Sequence, residues 1–205
     1  MSIVHSYSGF SSFTISAFIQ RAVQRTDQSV PIISVGAGTA EIERDLPPNV
    51  RQRIVLVDPV SEPSSEIPGP VYSTVSNYLK KNGKPESCVL LLIWPSPEDS
   101  TYDIEAVEQL DPDDIIVYYE NPPGWNSGAA GGRLFHQFLG NPQARGYELL
   151  ANEWHQYRTE RSWGTKYLKL EWLVKTALLD ENSRKHYQHG FYGFDNNTEP
   201  DCVVM

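Results

Sequence analysis

The sequence predicts an α/β protein, a Rossmann-like doubly wound sheet that is mostly parallel and ends in an antiparallel C-terminal edge hairpin. Three observations carry this. Short apolar runs rich in β-branched residues recur at Val30 to Val35, Arg53 to Asp58, Cys88 to Trp94 and Ile115 to Glu120. Runs of that kind are strands buried on both faces. Segments of helical period separate them, as a parallel sheet requires. From residue 147 to 175 the pattern changes to two long runs of alternating residues, the signature of a paired antiparallel hairpin.

In chain order, Ser11 or Ser12 caps a helix through about Arg25, with Phe13, Phe18, Ile19 and Ala22 on one side. The first strand ends in Gly36-Ala37-Gly38-Thr39-Ala40. Glu41 to Leu46 reads as a short helix stopped by Pro47-Pro48. After the second strand, residues 59–70 form a loop rich in Pro, Ser and Glu. Val71 to Val75 reads as a weak strand and Asn77 to Lys81 as a short helical piece. The run from Cys88 to Trp94 is the most apolar and predicts a central strand, ended by Pro95-Ser96-Pro97. Ser100 or Asp103 caps a helix through Leu110, and Arg133 to Leu139 is a further helix. Seven strands with one reversed hairpin complete the sheet. By this reading residues 1–11 are a flexible N-terminus, 12–178 the α/β domain and 179–205 a polar tail.

The 205 residues carry 17 Lys and Arg against 26 Asp and Glu, a formal net charge of −9. Phosphate backbones demand the opposite balance, so generic nucleic-acid binding is not expected. The two cysteines, Cys88 and Cys202, have no metal-type spacing, and Cys88 reads as a small buried hydrophobe. No metal site is expected. No apolar stretch is long enough to span a bilayer, and no cationic-then-apolar start marks a secretory signal. A cytoplasmic protein is the expectation.

The chemistry concentrates at the first turn. Gly36-x-Gly38 follows a strand and opens a helix, and Asp58 closes the next strand twenty residues beyond Gly38. Glycine permits a tight turn and close backbone approach to a ligand. A carboxylate at the end of the second strand can accept both hydroxyls of a ribose. The plainer reading is an ordinary strand-to-helix turn beside a surface aspartate. For a dinucleotide the next fingerprint position would be glycine under a pyrophosphate, but Glu41 stands there with Glu43 nearby. Carboxylates repel phosphate and suit a cation, which favours S-adenosylmethionine over NAD. No P-loop Lys follows, which disfavours an NTPase.

Ile33-Ser34-Val35-Gly36-Ala37-Gly38-Thr39-Ala40, Val57-Asp58 and Leu92-Ile93-Trp94-Pro95-Ser96-Pro97 resemble the Rossmann-like (class I) S-adenosylmethionine-dependent methyltransferases, over about residues 12–175. Trp94-Pro95, Val117 to Glu120 and Phe135-His136 are further similar to a less characterised methyltransferase-like family. The resemblance implies S-adenosylmethionine as cofactor. Ser34, Gly36, Ala37 and Gly38 would hold its methionine part, Asp58 the ribose, and the turn after the fourth strand would lie beside the methyl group. Two departures stand out. Ser34 occupies a position that is usually acidic in the family, and Trp-Pro-Ser-Pro replaces the Asn/Asp-Pro-Pro-aromatic turn of amino-group methyltransferases, so activity on DNA bases or amides is not implied.

Trp94 either stacks on the adenine or packs as a sheet-edge aromatic. Glu120 and His136 are the candidate general bases, with a helix cap or ion pair and a packing residue as their plainer readings. Residues 121–132 form a loop rich in Gly, Pro and Asn, either a lid or a connector. The expected acceptor is a small molecule or a protein side chain. The alternatives are a non-catalytic interaction protein on the same fold and, less favoured, an NAD-linked enzyme. The ending Cys202-Val203-Val204-Met205 is either chance or a prenylation signal of farnesyl type. One lipid beside the acidic stretch 195–201 would give only weak, reversible membrane association.

Overall fold

The computed structural model describes residues 12–25, 29–59, 61, 65–93, 95, 101–120, 131–158, 165–182 and 184, with backbone alone at 12–14, 120, 154–158 and 165–167. The helices are α1 (Ser12–Arg25), α2 (Glu41–Arg44), α3 (Pro48–Arg51), α4 (Val75–Asn82), α5 (Tyr102–Leu110) and α6 (Arg133–Gly140). The strands are β1 (Ile32–Val35), β2 (Ile54–Val57), β3 (Val71–Tyr72), β4 (Val89–Ile93), β5 (Asp114–Glu120), β6 (Tyr147–Arg158) and β7 (Thr165–Lys175). They form one sheet of seven strands in the order β3-β2-β1-β4-β5-β7-β6. Strands β1 to β5 pair in parallel, while β7 runs antiparallel to both β5 and β6. The expected parallel sheet with a reversed edge hairpin is the architecture observed.

Two apolar layers cover the sheet, and alternate residues of each strand divide between them. Ile32, Leu56, Leu91, Ile116 and Trp172 face α1, α2 and α3. Ile33, Val57, Leu90, Leu92 and Val117 face α4, α5 and α6. This double covering is why the strands read as continuous apolar runs. Cys88 lies in the second layer and is 1% exposed. Burial pushes its thiol up to about 12, so it is the inert apolar filler the sequence suggested.

At the amino-terminal end of the sheet Asp114 is completely buried. Arg25, closing α1, donates from Nη2 to Oδ2 at 2.7 Å and from Nε to Oδ1 at 3.3 Å, and the Trp172 indole donates to Oδ1 at 2.8 Å. Phe18 packs edge-on against the same Trp172, with ring centroids 6.4 Å apart. This network fixes α1 across β5 and β7.

Four local expectations are corrected. Pro47-Pro48 does not merely stop a helix, because Pro48 sits at the first turn of α3, where its missing N–H costs nothing. β3 holds only Val71 and Tyr72, because the Thr74 hydroxyl accepts the Asn77 N–H and caps α4, drawing Val75 into the helix. Asp103 does not cap α5; its N-cap is Thr101, Asp103 is buried within the first turn, and Ser100 lies outside the described residues. The alternation of β6 is broken by a bulge between Leu149 and Ala151.

Candidate functional site

The chain leaves β1 for β2 and β3 on one side, then crosses to β4 on the other. Such a reversal opens a crevice beyond the carboxyl ends of the strands. The glycine turn lies there. Gly36 (φ +75°) donates its N–H to Val57 O at 2.9 Å, Gly38 has φ +54°, and the Ala40 N–H closes the turn on Ala37 O at 2.8 Å. Ala40 itself is left-handed at φ +55°, a conformation held while its methyl is buried in the first core layer.

Asp58 and the turn are joined directly. The Gly38 N–H donates to Asp58 Oδ2 at 3.1 Å, and the Ser61 hydroxyl donates to Gly38 O at 2.6 Å. The twenty-residue spacing therefore corresponds to a physical contact. Gly36 also answers a steric demand. A Cβ there would stand 2.8 and 2.9 Å from Cζ and Cε2 of Tyr102, the first residue of α5. At Gly38 a Cβ would meet nothing within 4 Å, so that face of the turn is open.

A pocket of about 320 Å³ extends from this corner. Val35 and Gly36 at the end of β1, with Val57, Asp58 and Pro59 at the end of β2, form its inner wall. Ser73 to Ser76 at the start of α4, and Tyr102, Glu105 and Gln109 along α5, form the outer wall. Among the described residues, its lining holds two carboxylates, hydroxyls and an amide, and no Lys, Arg or His. Anions are unwelcome in such a pocket, whereas a neutral or cationic nucleoside finds acceptors.

Of the residues picked from sequence, Gly36 and Asp58 line the pocket, and Ala37 and Gly38 build the turn beside it. Ser34 is placed differently. Its side chain points to the α2 face, fully buried, and its hydroxyl donates to Glu43 Oε1 at 2.6 Å. Glu43 was expected to edge the pocket with Glu41. Neither lines it, because α2 turns Glu43 inward onto β1 and leaves Glu41 in solvent. Burial raises the Glu43 carboxyl above its ordinary value, and the Ser34 hydroxyl only partly offsets that. The pocket's second acid is Glu105. Trp94 and loop residues 121–130 lie outside the described residues, as does Cys202.

Of the two candidate bases, Glu120 ends β5 and His136 stands in the first half of α6, outside the lining of this pocket. Glu120 closes β5 opposite Leu168 of β7 and is described by its backbone alone. His136 is half-buried on α6, its ring edge-on to Tyr119 with centroids 5.8 Å apart. His136 Nε2 and Asp103 Oδ2 converge on Gly131, lying 3.4 and 3.7 Å from where a Cβ on that glycine would stand. Asp103 accepts the Gly132 N–H at 2.6 Å, tying the start of α6 to α5. Burial raises the Asp103 carboxyl; backbone N–H groups of Gly132, Ile104 and Asp103 itself, with the nearby imidazole, pull it back. Tyr119 in turn donates to Glu171 Oε2 at 3.0 Å, and Lys169 pairs with Glu171. Sequence reasoning missed Tyr102, Glu105, Gln109 and the Asp103–His136 approach. An i, i+3, i+7 stripe on α5 was the available signal for the first three.

No family model and no curated protein matches the chain. Among solved structures it is similar to a Pyrococcus horikoshii protein assigned as an RNA methyltransferase, at 11% identity over 79% of this chain and 81% of that one, TM-score 0.47. It is similar to the 23S rRNA methyltransferase ErmE at 13% identity over 92% and 80%, TM-score 0.43. It is also similar to the methyltransferase domain of a bacterial Hen1 at 14% identity over 78% and 99%, TM-score 0.44. All three scores fall below 0.5.

Proposed function

We propose that the chain binds S-adenosylmethionine in the β1–β2 pocket and transfers its methyl group to a small molecule or a protein side chain. The observation that supports this most is the pocket's composition at its position. A glycine turn and a strand-end aspartate meet at the topological switch, in a cavity with two carboxylates and no cation among its described lining residues. Asp58 would accept the ribose hydroxyls, and the backbone at Gly36 would lie along the methionine chain. The bound cofactor would supply an electrophilic methyl group on a sulfonium, whose charge the acidic lining suits and a pyrophosphate's would not. NAD is disfavoured on the same ground. The protein's share is positioning, with proton removal by Glu120 or His136 only where the acceptor carries a proton.

Calorimetric titration with S-adenosylhomocysteine tests the reading. Binding that is lost in Asp58→Ala supports it. No binding at millimolar ligand, with no difference between the two proteins, would sink it.

A second reading, a non-catalytic binding module on the same fold, draws on His136. This imidazole lies across α5 from the pocket, beside Asp103, rather than in the lining. Measurable turnover on any acceptor would remove that reading. Membrane association through Cys202 belongs to the proposal only as a separate test: incorporation of a farnesyl label into the full chain, absent from Cys202→Ser.

A further inference from the structure

Asp103 is completely buried in the first turn of α5, and its carboxylate is held by backbone N–H groups rather than by a cation. Ile104 donates to Oδ1 and Gly132 to Oδ2, each at 2.6 Å. Oδ2 and the buried His136 Nε2 approach one point over Gly131, 3.7 and 3.4 Å from a Cβ placed there. The fixed carboxylate thus stands on the Nε2 side of the ring. The imidazole is fixed in turn by Tyr119 of β5, which lies edge-on to it. Tyr119 is anchored through its hydroxyl to Glu171 of β7, and Glu171 is balanced by Lys169. Burial and Glu171 push the Tyr119 phenol up, so it stays neutral. On α6 itself, Arg133 is exposed. The charge set against the imidazole from α5 is that of Asp103.

A carboxylate beside one ring nitrogen favours a proton there and strengthens the ring as a base. We infer that Asp103 is the positioning residue of His136: its carboxylate keeps a proton on Nε2 and makes Nδ1 the atom that takes a proton from the acceptor. The acceptor's proton passes to the Nδ1 lone pair, and the resulting imidazolium is paired by Asp103, which stays ionised. The inference rests on the reading of His136 as the base for the proposed transfer, and adds the group that makes it one.

The test is NMR on the full chain, following the ring nitrogens of its five histidines against pH. His136→Gln identifies the His136 signals. In the wild type His136 is expected to titrate about one pH unit above the ordinary imidazole value of about 6.5, with Nε2 protonated in the neutral form. Asp103→Asn removes the charge at nearly constant shape and is expected to lower the proton affinity of His136 about tenfold. Tyr119→Phe keeps its ring beside His136, releases Glu171, and is expected to leave the titration in place. A wild-type His136 that titrates at or below 6.5, or carries its neutral proton on Nδ1, overturns the inference, whether or not Asp103→Asn folds. Equal drops in the two variants overturn it as well, because loosened packing would then be the cause. None of these titrations needs a nucleoside. If S-adenosylhomocysteine binds and His136 titrates at its ordinary value, the pocket stands and only the role of Asp103 falls. If S-adenosylhomocysteine does not bind and His136 titrates as expected, the nucleoside reading falls and the pairing of Asp103 with His136 stands.

Discussion

At the amino-terminal end of the sheet, Asp114 is buried with two bonds from Arg25 and one from Trp172. At the carboxyl end, Asp58 and Glu105 face a pocket lined, among the described residues, by no Lys, Arg or His. One end neutralises its carboxylate with side chains of the fold. The other presents carboxylates to a cavity and braces them with uncharged donors, the Gly38 N–H and the Thr101 hydroxyl. The contrast separates charge that serves stability from charge that is kept for a ligand. Substitutions at the first end should cost folding free energy, and substitutions at the second should cost affinity.

The largest effect is expected at Arg25. Arg25→Ala leaves Asp114 buried without its cation, which costs about 3–5 kcal/mol. Chemical denaturation reads it, and a loss under 1 kcal/mol would erase the contrast. Next is Gly36→Ala, where a left-handed alanine and a collision with Tyr102 together cost about 2–4 kcal/mol. Combining it with Tyr102→Ala should recover the collision part and not the backbone part. A double-mutant cycle without coupling would show that the ring does not press on the turn. Asp58→Ala follows. It should weaken S-adenosylhomocysteine by about 1.5–3 kcal/mol, the worth of hydrogen bonds to a charged group, with a stability change near 1 kcal/mol. Equal losses in folding and binding would make Asp58 a brace and nothing more.

The smallest effect concerns Glu43, which belongs to neither end's logic. Its folded pKa is raised by burial above the ordinary 4.5. A carboxyl with a raised folded pKa contributes its stability in full below the unfolded pKa and loses it as pH rises through the folded one. Glu43→Gln should therefore match the wild type near pH 4 and gain on it progressively toward neutral pH in thermal melts. A parallel pair of pH profiles would contradict the burial account.

Much of this was legible in the chain because both faces of the sheet are covered. The run Cys88 to Trp94 and the alternation of 147–175 each follow from how many faces of a strand are buried, a local property of sequence. The glycine turn and Asp58 were legible for a related reason, since the order of elements places them together. The outer wall of the pocket was not legible. Whether Tyr102, Glu105 and Gln109 face a cavity depends on how α5 packs beside α4. Asp103 shows the same limit: it looked like a helix cap by position, yet tertiary packing draws it to Gly132. Glu43 looked like a pocket acid by proximity in sequence, and one turn of helix sends it to the other side of β1.

The hairpin at the sheet's edge bears on how the molecule assembles. β6 and β7 are joined by six residues, so their pairing closes a short loop and spends little chain entropy. β1 must instead find β4 across more than fifty residues, and the pocket exists only once β1, β2 and both outer helices are in place. The binding corner thus joins elements that lie far apart in the chain, and a nucleoside held there would act as a latch across them.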